Sequence, residues 1–136
     1  MSREDSFAVA RDVEDALQGR DIDELNGHAG YQPGRGYVHP IEAADELLDA
    51  ALEPFRHDLE RRAALGMRTA AVELAMGILL GLYECRDGGC ETLLEYSPDY
   101  AAERAAQVVD QCAKVGIELR TAELLDLVPE WSTMLR

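Results

Sequence analysis

One stretch limits the possible folds more than any other. Between Arg68 and Glu84 the apolar residues Val72, Leu74, Ala75, Met76, Ile78, Leu79, Leu80, Leu82 and Tyr83 surround most of a helix circumference. A helix that is apolar nearly all round has to be packed on several sides. Leu74 to Tyr83 supplies about half of the roughly twenty apolar residues that a membrane span takes, and Gly77 and Gly81 fall within it. The stretch is therefore expected to be the central helix of a core. Its two glycines, four apart, predict that another helix approaches it closely.

Helix signals recur on both sides of this element. The spacing of Phe7, Ala10, Val13 and Leu17 predicts a first helix from about Asp5 to Gln18, stopped by Gly19. A short helical turn is expected at Asp21 to Leu25. Pro40 suits the first turn of the next helix, whose apolar stripe is Ile41, Ala44, Leu47, Leu48, Ala51 and Leu52. Glu42, Asp45, Glu46, Asp49 and Glu53 fall on its wet side. Pro54 removes a backbone donor and should kink this helix or split it from a successor through Phe55, Leu59 and Leu65, closed by Gly66. Ser97-Pro98-Asp99 offers a capping side chain, a preset φ and an acid for a helix that continues to Val115 and ends at Gly116. Thr121 caps a last short helix through Leu127, stopped by Pro129. Ile117-Glu118-Leu119 is too short to make a sheet. The expected fold is all-α, a compact array or bundle of about five to six helices with repeat-like helix pairs. The length suits one domain, residues 1–136.

The conspicuous break is residues 26–40. Gly27, Gly30, Gly34 and Gly36 stand there with Pro33 and Pro40, a density of breakers that no helix survives. This is expected to be a long loop. It holds no acid, although the chain has 27 Asp and Glu against 13 Lys and Arg and a net charge of −14. Such a field repels phosphate backbones and anionic membranes, so direct nucleic-acid binding and membrane binding are disfavoured. The start Met1-Ser2-Arg3-Glu4-Asp5 lacks the apolar run of a signal peptide, and a cytoplasmic, reduced location is expected.

From Asp21 to Asp110 the order of features resembles the helical region that follows the zinc-binding motif in bacterial SWIM zinc-finger proteins. The residues that carry the resemblance are an acidic helix, Ala44-Asp-Glu-Leu-Leu-Asp49, a Gly- and Leu-rich helix, Ala75-Met-Gly-Ile-Leu-Leu-Gly-Leu82, and the acidic-Gly turn Arg86-Asp-Gly-Gly89. The family's zinc motif, two cysteines one residue apart followed by a third cysteine and a histidine, is missing here. The resemblance therefore implies a helical accessory or scaffold module, and neither a zinc ligand nor the nucleic-acid role linked with that motif carries over.

Chemistry-bearing constellations are sparse. Glu53 and His57 lie four apart and could offer two metal ligands from one helix face, with Pro54 disturbing the geometry between them. Solvated side chains are the expected reading, and neither a metal nor another cofactor is expected. Cys85, Cys90 and Cys112 form no repeated ligand pattern and read as inert thiols, with a regulatory Cys85–Cys90 disulfide as the sharper alternative. No Gly-x-Ser-x-Gly elbow is present, and Gly34-Arg-Gly36 lacks the Lys-Ser/Thr of a phosphate loop.

The best functional candidate is the 26–40 segment, which gathers Tyr31, Arg35, Tyr37 and His39, residue types found at interfaces and ligand sites. A second candidate is the C-terminal tail, where Trp131 and Met134 would pack on the central helix or dock on a partner. The leading expectation is a non-catalytic interaction or scaffold module that binds another protein or itself. Two alternatives stay open. One is a metal- or small-ligand-binding helical enzyme with its site between helices, using Glu53 and His57. The other is an acidic inhibitor that holds a basic partner through Glu42, Asp45, Glu46, Asp49 and Glu53.

Overall fold

The structure is a computed structural model that describes residues 3–19, 25–27, 29–86, 99–117 and 119. Its long elements are α1 (Arg3–Gln18), β1 (Gly30–Gln32), β2 (Gly36–Val38), α2 (Pro40–Ala64), α3 (Arg68–Arg86) and α4 (Tyr100–Lys114), with a helical turn at residues 25–27. Helices take up 78% of the described residues, so the all-α class holds. Among the described residues the one departure is a small antiparallel hairpin, β1–β2, inside the segment expected to be an irregular loop.

α3 is the hub. Leu74, Ala75, Met76, Ile78, Leu79, Leu80 and Leu82 are all buried, because α1, α2 and α4 pack around the helix. The closest approach is to α1, through the two glycines. A Cβ on Gly77 would lie 2.5 Å from Val9 Cβ and 2.8 Å from the Ser6 carbonyl oxygen. One on Gly81 would lie 2.6 Å from Val13 Cβ and 2.8 Å from the Ala10 carbonyl oxygen. The Ser6 hydroxyl donates to the Glu73 carbonyl oxygen at 3.1 Å, so the one buried polar side chain of this contact is satisfied.

This contact corrects the α1 stripe. Ser6, Ala10, Val13 and Leu17 are buried, and Phe7 is half exposed. Backbones this close leave room for Ser6 and Ala10 at the crossing, and an aromatic ring one position on turns outward.

α2 is one continuous helix through Pro54, so of the two expected outcomes, a kink or a split, the split does not occur. Pro54 and Ala50, the residue whose carbonyl loses its donor, are both exposed, so the missing bond falls on the solvent side of the helix. Ile41 and Leu65, expected in the apolar stripe, are exposed at the two ends of the helix. Gly66 (φ 73°) closes α2 with a paired cap: its N–H donates to the Ala63 carbonyl and the Met67 N–H to the Arg62 carbonyl. The same pair of bonds recurs at the end of α4, from Gly116 to Ala113 and from Ile117 to Cys112, with Ile117 buried as the hydrophobic seal. Asp99 stands at the N-cap position of α4, but its side chain makes no cap bond. Ser97, Pro98 and the short helix expected from Thr121 lie outside the described residues.

A candidate interaction hairpin

Local chemistry explains why a glycine-rich segment becomes an ordered hairpin. Gln32-Pro33-Gly34-Arg35 is a tight turn, closed by the Arg35 N–H donating to the Gln32 carbonyl at 3.0 Å. Proline at the second position and a glycine with φ 85° at the third are what a type II turn asks for. Gly30 pairs with Val38, Tyr31 with Tyr37, and Gln32 with Gly36. Directly opposed residues share one face of an antiparallel pair. The Gly30–Val38 pair therefore turns buried Val38 into the core, and the Tyr31–Tyr37 pair faces outward. The two tyrosines are 75% and 71% exposed.

Both remaining expected site residues fasten the hairpin to α2. Arg35 Nη2 and Nη1 donate to the two carboxylate oxygens of Glu46 at 2.7 and 3.1 Å, and Nη2 also reaches Glu42 at 3.4 Å. The Glu46 hydrogen bonds and charge raise the Arg35 guanidinium above its ordinary pKa. His39 is the N-cap of α2, its Nδ1 accepting from the Ile41 N–H at 3.1 Å, and Pro40 follows in the first turn. Tyr31 and Tyr37 are thus displayed, and Arg35 and His39 position the element that displays them.

The acid stripe of α2 is not a free row of anions. Glu42 and Glu46 hold Arg35. Asp49 lies in a polar cluster that the sequence reading placed in solvent. Tyr100 Oη donates to Asp49 Oδ1 at 2.9 Å, Arg104 Nε donates to the same oxygen at 2.7 Å, and Arg104 Nη2 donates to Oδ2 at 3.0 Å. The Arg104 guanidinium carbon also lies 4.8 Å from the centre of the Tyr100 ring. Burial, then the neighbouring carboxylate, pushes the fully buried Tyr100 phenol well above its ordinary pKa. The signal available in the sequence was Tyr100 and Arg104 four apart on the face that also carries Ala101, Ala105, Val108 and Cys112.

Beyond that cluster, α2 and α4 leave a groove of about 470 Å³. Glu53 and His57 both line it, with Glu60, Asp110, Lys114 and, on its floor, Leu59 and Cys112. Burial pushes the Cys112 thiol up to about 11. Among the described residues no three His, Cys, Asp or Glu side chains gather as a metal cluster would require. No helix among them is long and apolar enough to cross a membrane. Cys90, Trp131 and Met134 lie outside the described residues, and with them the Cys85–Cys90 alternative and the C-terminal tail. Compared with protein families, with curated proteins and with solved structures, the chain matches none.

Proposed function

We propose that this chain is a non-catalytic, cytoplasmic protein-interaction module whose recognition surface is the outward face of the β1–β2 hairpin. The observation that carries the reading is the pair of exposed, directly opposed tyrosines, Tyr31 and Tyr37, on an element fastened at both ends. Tyrosine gives a large amphipathic contact at low entropic cost, and is enriched where protein surfaces meet. The scaffold role implied by the resemblance to SWIM-associated helical regions belongs to the same proposal.

The test is affinity capture from cells under gentle conditions with the natural chain and with a Tyr31→Ser, Tyr37→Ser double variant. Proteins retained by the natural chain should be lost from the variant, while its helical circular dichroism stays unchanged. Equal retention by both would remove the hairpin from the argument.

The small-ligand reading has one observation in its favour, because the structure places Glu53 and His57 on the same groove. Its volume is in the range of small-molecule sites. A native mass spectrum decides: a bare mass of 15.0 kDa or a clean multiple speaks against a retained ligand, and a reproducible additional mass speaks for one.

A further inference from the structure

We infer that the partner of the tyrosine face is an arginine-bearing, cationic protein segment, an inference that rests on the interaction role proposed above. The first observation is geometric: two phenol rings share one solvent-facing surface, so a planar cation has aromatic area to lie against. The second is electrostatic. The chain carries a net charge of −14, and the hairpin lies against the acidic first turns of α2. Arg35 commits both of its close bonds to Glu46 and meets Glu42 only at 3.4 Å. The Glu42 side chain is 57% exposed and retains acceptor capacity for a second guanidinium.

The third observation is that the molecule already uses this chemistry internally, where Arg104 lies over the Tyr100 ring while Asp49 accepts its N–H groups. Arginine suits the task better than lysine, because its planar, weakly hydrated guanidinium stacks on a ring and still donates sideways to a carboxylate. An anionic partner would meet the repulsive field of the whole chain. A second copy brings the same −14, and its own hairpin cation, Arg35, is held by its own Glu46.

The experiment is an NMR titration of the full chain, with labelled tyrosine rings, against a blocked (Arg-Gly)4 peptide and a matched (Lys-Gly)4 peptide at moderate salt. The Tyr31 and Tyr37 ring signals should shift saturably with the arginine peptide, while those of buried Tyr100 stay still. Affinity should be severalfold weaker for the lysine peptide. A Tyr31→Leu, Tyr37→Leu double variant should bind the arginine peptide about tenfold more weakly, the loss expected from two exposed ring contacts. The corresponding double Phe variant keeps the rings and should stay within about twofold of the natural chain. Equal binding of both peptides, or full binding by the Leu variant, would show a diffuse polyanion effect and overturn the inference. Absence of any tyrosine shift would also overturn it, but would leave the interaction role standing if affinity capture still depends on Tyr31 and Tyr37. Failure of both experiments removes both.

Discussion

Replacing Gly77 or Gly81 by alanine tests the architecture at its tightest point. In an exposed helix, Gly→Ala stabilises by about 1 kcal/mol, because it removes backbone freedom from the unfolded chain. Here the sign should reverse. The new methyl carbon at position 77 would sit 2.5 Å from Val9 Cβ and 2.8 Å from the Ser6 carbonyl oxygen, and the one at 81 is equally crowded by Val13 and Ala10. Restoring an ordinary carbon–carbon separation of about 3.5 Å requires α1 to retreat by about 1 Å. A backbone oxygen cannot swing aside as the end of a side chain can, so the whole helix has to move.

Such a retreat loosens the layer formed by Ala10, Val13 and Leu17 against α3. Overpacking of this kind costs about 1–3 kcal/mol, and the gap opened beside the contact forfeits further dispersion energy. Set against the gain in helix propensity, each single substitution should destabilise the fold by about 2 kcal/mol. The double variant should lose less than the sum of the two, since one displacement of α1 relieves both contacts. Urea unfolding followed by circular dichroism reads this as a lower midpoint at an unchanged slope. Val9→Ala should not rescue Gly77→Ala, because Val9 Cβ and the Ser6 oxygen both remain. If either glycine variant is as stable as the natural chain, α1 does not cross α3 where described, and the account of the core fails.

The polar link between α2 and α4 predicts a graded series. Tyr100→Phe removes one buried hydrogen bond and should cost about 1 kcal/mol in urea unfolding, whereas Asp49→Ala leaves the Arg104 side chain, only 13% exposed, with no carboxylate nearer than Glu103 at 3.9 Å, and should cost about 2 kcal/mol. A double-mutant cycle between Asp49 and Arg104 should return a coupling well above that of an exposed ion pair, and additive losses would refute the cluster. His39→Ala deletes the acceptor for the Ile41 N–H and should cost about 1 kcal/mol, with His39→Asn close to neutral by the same measurement. In a Cys85→Ser, Cys90→Ser background, Cys112 should resist thiol reagents at pH 8 until the protein unfolds, because burial holds its pKa up near 11. That shift raises the folded value above the unfolded one. Its contribution to stability is thus complete below the ordinary thiol pKa of about 8.5 and is lost as pH climbs through 11. Rapid labelling of the folded protein at pH 8 would contradict the burial.

The elements most legible in the sequence were those with one dominant physical signal. The all-round apolar stretch of α3 could only be central, and its paired glycines announced a close neighbour, although nothing in the chain said that the neighbour would be α1. Gly66 and Gly116 marked two helix ends because their left-handed φ is what the cap geometry demands. Phe7 misled because periodicity locates a face only to within one residue. A crossing that admits serine and alanine excludes an aromatic, a tertiary condition that no local pattern carries. Pro54 left two outcomes open, a kink or a split, and local cost alone could not choose between them: the burial of Leu52 and Leu59 on either side keeps the helix in one piece.

The site divides along the same line. Residue types pointed to Tyr31, Arg35, Tyr37 and His39, but their separate tasks depend on a register that the breakers concealed. Gly30, Gly34 and Gly36 all take positive φ, and an added Cβ at any of them would meet nothing within 4 Å. They serve the course of the chain through the turn, and no neighbour requires them to be small. Once that register is fixed, alternation across the strands decides the rest: Val38 goes in, and Tyr31 and Tyr37 go out. Arg35 then changes meaning. As a loose basic residue in an acidic chain it reads as a contact for a partner, but held by Glu46 it is a strut, and it withdraws Glu46 from the α2 stripe while meeting Glu42 only at 3.4 Å. Tyr100 and Arg104 withdraw Asp49 from the same stripe. Exposed Glu42, which Arg35 of the hairpin reaches at 3.4 Å, then suits one stacked cation more than a broad imitation of a polyanion. Arg35→Ala should therefore strengthen binding of the (Arg-Gly)4 peptide by removing a cation that competes for Glu42, provided Tyr31 and Tyr37 keep their shifts. Unchanged affinity in that variant would mean that the acids beside the hairpin take no part in recognition.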